Sequence, residues 1–128
     1  MTFAVDAGVL IGLLDPDDAH HAAATEVFSL GVSFLVHPVN IAEALINPER
    51  HGRSLEAFED LRRFGVVPAT LGTNEPLILA RVRAEHSLRM PDACALAVAV
   101  GNDIPLITFD KRLAAEAKKR GLFEPVPA

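Results

Sequence analysis

The chain has no tryptophan, no tyrosine and one cysteine, and it is short of positive charge: 12 Lys and Arg stand against 17 Asp and Glu, a net charge of −5. Each shortage excludes something. Proteins that hold single-stranded nucleic acid by stacking its bases usually offer several aromatic rings, and here seven Phe supply all the aromatic volume. Bulk attraction to a phosphate backbone needs a basic surface, so any nucleic-acid contact must run through a bound cation or a few local Arg and Lys. The lone Cys94 permits no internal disulfide and fits a reducing, cytoplasmic setting. Long hydrophobic runs are missing too. The most apolar stretch, Ala93 to Gly101, is about half of what spans a bilayer. The N-terminus has no basic start and Asp6 interrupts its apolar run, so it does not read as a signal peptide.

What is present reads as one folded domain over residues 1–128, half of them hydrophobic and only 23% charged. Its anchor is the first dozen residues. Phe3 to Val5 is an apolar run too short for a helix, and it stops at a carboxylate, Asp6. After Ala7-Gly8, the residues Val9, Leu10, Leu13 and Leu14 recur at helical spacing. Such a strand-turn-helix puts Asp6 at the carboxyl end of a strand, the edge where open α/β folds bind ligands. Asp is equally a favoured helix cap, and this stretch alone does not choose between the two.

Downstream, Asp15-Pro16-Asp17-Asp18 reads as a turn leading into a helix from about Ala19 to Leu30. The acids there lack calcium-loop spacing, and adjacent His20 and His21 read as surface residues that cannot share one zinc from a helix. Ser33–Val36 is a second strand, and Val39–Ile46 a helix that Asn47-Pro48 should end. Within that apolar segment Glu43 is the odd residue, either on a wet stripe or a buried acid in need of a partner. Ser54 can cap a further helix, and Val66–Pro68 is a short strand near an edge. Thr73–Pro76 opens a helix running to about Glu85, with Leu77, Ile78, Ala80 and Val82 expected inside.

Pro91 suits a first helical position and puts Asp92 in the first turn, where a carboxylate is favoured. The following helix is apolar nearly all round, so it belongs in the core, and Cys94 reads as a small buried hydrophobe. Ile104–Thr108 is a strand, Asp110 repeats the placement of Asp6 before a helix from Lys111 to Arg120, and Leu122–Val126 is expected to add an edge strand. Strands and helices thus alternate throughout, which argues a parallel sheet covered by helices.

In that architecture Asp6, Asp92 and Asp110 belong on one rim, and Glu43 joins them if its helix packs alongside. Several carboxylates at one rim repel unless a cation sits among them, and all-oxygen ligands point to Mg²⁺ or Mn²⁺. Such a metal activates water and stabilises charge on a phosphodiester. Arg50, Arg53, Arg81 and Arg89 are candidate phosphate contacts.

Taken together, Val5-Asp6 before Val9-Leu10-Ile11, Asn40-Ile41-Ala42-Glu43, Met90-Pro91-Asp92-Ala93 and Thr108-Phe109-Asp110-Lys111-Arg112-Leu113 resemble a PIN domain, more narrowly the VapC-type toxin ribonucleases of bacterial toxin–antitoxin pairs. The resemblance runs the length of the chain. It implies a PIN-like three-layer α/β/α fold with a central parallel sheet of about five strands, and a homodimer. It also implies cleavage of RNA with Mg²⁺ or Mn²⁺ held by Asp6, Glu43, Asp92 and Asp110, and neutralisation by a cognate antitoxin. One departure stands out. The family often has Thr or Ser just after its first Asp, where this chain has Ala7 and Gly8. That departure is what supports a second reading, a PIN-like module that binds RNA or a protein without cutting. A phosphoacceptor receiver domain, the third class, would need paired acids after the first strand and an Asp after the third. Ala7 and Ala69-Thr70 occupy those places.

Overall fold

The computed structural model describes residues 1–126. In chain order the elements are β1 (Thr2–Val5), α1 (Ala7–Leu14), α2 (His21–Phe28), β2 (Ser33–Val36), α3 (Pro38–Arg50), α4 (Ser54–Arg63), β3 (Val66–Pro68), α5 (Glu75–His86), α6 (Met90–Asn102), β4 (Leu106–Ile107) and α7 (Lys111–Lys119). The strands form one parallel sheet in the order β3-β2-β1-β4. From β1 the chain steps outward to β2 and β3, then returns to the other side of β1 for β4. The order therefore reverses between β1 and β4, and a crevice opens outside their carboxyl ends at such a switch point.

The sheet separates two apolar layers, as the two-residue period of a strand requires. Phe3 and Val5 face a core built with Val9 and Leu10 of α1, Val27 of α2, Ile41 of α3 and Leu61 of α4. Ala4 faces the other side, with Val82 of α5, Leu96 and Val98 of α6, and Leu113 and Ala117 of α7. This is the expected three-layer α/β/α arrangement. Helix α6 is buried from Ala93 through Ala99, Cys94 included, and burial pushes the Cys94 thiol up to about 11. Such a thiol stays protonated and inert at neutral pH.

The fifth strand does not form among the described residues. Leu122–Val126 contributes a single bridge, in which the Leu106 amide donates to the Leu122 carbonyl at 2.6 Å and the Glu124 amide to the Leu106 carbonyl at 3.0 Å. Pro125 has no N–H to extend the ladder, and β4 itself is only two residues long. Helix α3 continues through Pro48 to Arg50 instead of stopping at Ile46. In the last turn the proline forfeits only its own donor, and the His51 and Gly52 amides still reach the Pro48 and Glu49 carbonyls. Ser54 is the first residue of α4, and its hydroxyl donates to Glu49 instead of capping. On α5, Leu77 is 67% exposed and Val82 alone is buried, so that helix turns more of its apolar surface outward than its pattern suggested.

Gly65 sets the turn into β3. Its φ is +98°, and an added Cβ would sit 2.6 Å from the Val32 carbonyl oxygen. Gly31, at φ +68°, has nothing within 4 Å of the same position. Gly65→Ala is expected to destabilise the protein by more than the roughly 1–2 kcal/mol of a left-handed alanine, and Gly31→Ala by about that amount only. Paired thermal or urea unfolding of the two variants measures the difference.

Candidate functional site: an acidic cleft at the switch point

A cleft of about 360 Å³ opens at the carboxyl ends of β1 and β4, and Asp6, Glu43, Asp92 and Asp110 all line it, with Asn40 and Arg89 beside them. The four acids come from four separate segments: the end of β1, α3, the first turn of α6, and the residue that starts α7. The fold brings together what the sequence separates by more than a hundred residues.

Capping and lining the cleft turn out to be compatible. Asp6 ends β1 in extended conformation, and its Oδ1 accepts from the Val9 amide at 3.3 Å, so it caps α1. Asp110 likewise caps α7, accepting from the Leu113 amide at 2.9 Å. A carboxylate oxygen has two lone pairs, so one hydrogen bond leaves acceptor capacity toward the cleft.

Asp6 is the most perturbed acid. It is only 6% exposed, and burial pushes its carboxyl up to about 6 despite hydrogen bonds from Thr108 and Val9, with the negative charges of Asp92 and Asp110 adding to the rise. Asp92, whose side chain is 17% exposed, is raised as well, first by burial, while the Arg89 guanidinium at 3.7 Å opposes the shift. An acid whose folded pKa lies above its unfolded value of 3.8 opposes folding once it ionises. Ionised Asp6 therefore costs about 3 kcal/mol at pH 7. In chelator, the protein is expected to gain stability as pH falls from 7 through about 6 toward 4.5. Asp6→Asn should flatten that dependence. Below 4.5 the trend turns, because Glu75 and Glu116 are held below the usual range by His37 and His86 and lose those bonds when protonated. Urea unfolding at stepped pH reads both limbs.

Sequence reasoning missed Thr108. Its hydroxyl donates to Asp6 Oδ2 at 2.6 Å, and the same Oγ1 accepts from the Asp110 amide at 3.1 Å. It is buried, and it ties the end of β1 to the start of α7. The hydroxyl absent at Ala7-Gly8 thus arrives from β4's end. A Cβ on Gly8 would lie 3.7 Å from Asp6 Oδ1, so position 8 faces the same carboxylate. The available signal was Thr108 standing two residues before an acid that follows a strand.

Other expectations are corrected. Glu43 is half-buried in the cleft, neither sealed in the core nor on a fully wet stripe. His21 is more than a surface residue, since its Nδ1 meets the Gly12 carbonyl at 2.7 Å and joins α2 to α1. Helix α2 starts at His21, because Asp18 Oδ2 accepts the His20 amide and holds His20 outside it. Of the four arginines named from sequence, Arg89 lines the acidic cleft, whereas Arg53 pairs with Glu56 beside a different groove.

Among the described residues, no three His, Cys, Asp or Glu side chains stand close enough to hold a metal ion. The donor set still fits one by chemistry. Mg²⁺ keeps several waters and is usually held by one or two carboxylates plus substrate phosphate, and Asp6 and Asp92, raised by burial and further by neighbouring carboxylates, gain from a cation between them. Also among the described residues, no helix is long and apolar enough to cross a membrane.

Comparisons with known proteins agree with this architecture. No curated protein matches the sequence. The toxin VapC20 of Mycobacterium tuberculosis, described as cleaving the sarcin–ricin loop, superposes with a TM-score of 0.74 at 16% identity, over 98% of this chain and 99% of that one. A toxin–antitoxin complex from Klebsiella pneumoniae gives 0.70 at 19% identity, covering 87% and 89%. VapBC2 of Rickettsia felis, bound to a fragment of promoter DNA, gives 0.65 at 10%, covering 96% of each chain. At these identities the likeness shows a shared fold. The PIN domain family model matches residues 3–119, and the chain belongs to the PIN domain family.

Proposed function

We propose that this protein is a metal-dependent endoribonuclease, the toxin of a toxin–antitoxin pair, with the acidic cleft as its catalytic centre. The observation that carries the reading is the convergence of Asp6, Glu43, Asp92 and Asp110 on one cleft at the switch point, with Asp6 clamped by Thr108. A divalent cation bound there would activate water and offset charge developing on the phosphodiester. The chain's own residues do the rest. Thr108 and the Val9 amide fix the Asp6 carboxylate in one orientation, and Thr108 holds the Asp110 backbone against it. Asp92 and Glu43 complete the ligand set from α6 and α3. Arg89 sits at the rim with a largely exposed side chain, placed to leave Asp92 for an incoming phosphate. The Thr108 hydroxyl favours the catalytic reading over the non-catalytic one, since it reaches Asp6 where Ala7 and Gly8 offer none.

The partner reading follows from the same charge. A guanidinium bridges two carboxylates well, so a basic antitoxin segment entering the cleft would displace the metal and exclude RNA together. Leu77 on α5 and Leu55 on α4, both about two-thirds exposed, supply apolar surface for a homodimer, which sedimentation velocity at micromolar concentration would detect as a species of twice the monomer mass.

The test of function is cleavage of a mixed single-stranded RNA pool with Mg²⁺, with Mn²⁺ and in excess chelator. Cleavage is expected with metal and absent in chelator. Undiminished cleavage in chelator would sink the mechanism.

A further inference from the structure

We propose that the exposed imidazole of His20, backed by Phe109, is a stacking platform for one nucleobase of the RNA, placed on the ridge between the acidic cleft and a second, lysine-lined cleft. This rests on the ribonuclease reading above. The two rings lie 4.6 Å apart at 12° to one another, a parallel stack. Phe109 covers one face of the imidazole, and the His20 side chain remains 55% exposed. In a chain with no Trp or Tyr, a stacked pair of rings at the mouth of the site is unusual company for four acids.

The pair is held firmly. Asp18 Oδ2 accepts the His20 amide at 2.9 Å, which fixes the backbone just ahead of α2. Phe109 lies between Thr108 and Asp110, the two residues whose hydrogen bonds reach Asp6 and α7. The platform therefore shares its backbone with the site and is in fixed register to it.

His20, Phe109 and Asp110 line the acidic cleft and also the neighbouring one, to which Lys111 and Lys118 belong. The Lys118 ammonium lies 4.8 Å from the centre of the Phe123 ring, and neither lysine is in an ion pair among the described residues. Crossing the ridge, a single strand would meet in turn an acidic cleft suited to a phosphate bridged by cation, a flat ring suited to a base, and free ammonium groups suited to the next phosphate. That order of phosphate site, ring and phosphate site is the order of groups along a nucleotide chain. It also answers the charge problem: a protein of net charge −5 needs local contacts of this kind to retain RNA. Stacking reads the face of a base and not its edge, so the platform confers grip and register with little sequence preference.

The test compares steady-state cleavage of a short single-stranded RNA by wild type, His20→Ala, His20→Gln and His20→Phe in Mg²⁺. Thermal melting identifies which variants fold, and His20→Gln carries the comparison should His20→Ala fail. The Ala and Gln variants are expected to raise KM about tenfold, in line with the loss of one stacked base, with kcat within about twofold and Phe restoring the wild-type KM. An unchanged KM in His20→Gln overturns the platform. So does a loss confined to kcat that Phe fails to rescue, which would mark His20 as an acid or base. A wild-type protein that cuts no RNA overturns the ribonuclease reading instead. The platform is then judged by binding alone, using RNA that carries 2-aminopurine. Fluorescence quenching by wild type and His20→Phe, but not by His20→Gln, supports it, and equal quenching by all three refutes it.

Discussion

Asp92→Asn is expected to reduce metal-dependent RNA cleavage by more than the roughly 10–100-fold typical of removing a group that only orients a ligand, while the protein stays folded. The carboxamide keeps the volume of the carboxylate and the first-turn position on α6, and it removes a charge that the site tolerates poorly. Asp92 is raised by burial and repelled by Asp110, and its charge in turn raises Asp6. Its nearest cationic neighbour, Arg89, stands 3.7 Å away with a mostly exposed side chain, and Arg112 adds a weaker attraction, so the pair with Arg89 contributes little to stability. In chelator the variant should melt at or above the wild-type temperature. A fall of several degrees would instead make Asp92 chiefly a helix-capping residue.

Thr108→Val is expected to have the larger effect on stability. Valine matches threonine in shape, so the change isolates the hydroxyl. Removing it strands Asp6 Oδ2 without its 2.6 Å donor and the Asp110 amide without its acceptor. A buried polar group left without a partner costs about 1–3 kcal/mol, and two such groups together should cost about 2–5 kcal/mol. Activity should fall as well, by about 10–100-fold, because Asp6 loses its orientation and its carboxyl moves further up without Thr108 holding it down. Thr108→Ser keeps the hydroxyl and should recover most of both. Urea unfolding and cleavage rates on the same three proteins check the prediction. Equal loss in the Ser variant would mean that the Thr108 methyl packing matters and the hydroxyl does not.

The fold was legible because each strand stops at a recognisable boundary. Phe3–Val5 into Asp6 and Ser33–Val36 into His37-Pro38 gave the strands at the sheet's centre, and the unbroken apolar run of α6 marked a core helix, packed against α5, α7 and the sheet. Element ends were harder to read. Pro48 ends no helix because it falls in a last turn that has little left to lose, and Leu122–Val126 makes one bridge because β4 offers two residues to pair with. Asp6, Asp92 and Asp110 were legible from their places at strand ends and a first turn, and Glu43 as the one acid in an apolar helical segment, all of them local signals. Thr108 is marked locally only by its place two residues before Asp110: its partner Asp6 lies 102 residues away, and only the adjacency of β1 and β4 joins them. The stacked pair of His20 and Phe109 was invisible for the same reason, since His20 alone reads as a surface residue early in a helix and Phe109 as the residue between a strand and its acid.

The central claim is that these four acids, which line one cleft although no three of them stand close enough to hold an ion, form a divalent-metal site. The most direct measurement is titration of Mn²⁺ into wild type and Asp92→Asn, with and without a short single-stranded RNA, following the free-ion signal by electron paramagnetic resonance. The account predicts saturable depletion of free Mn²⁺ by wild type, strengthened by RNA and lost in Asp92→Asn. Equal depletion by both proteins, or none by wild type even with RNA present, would contradict it.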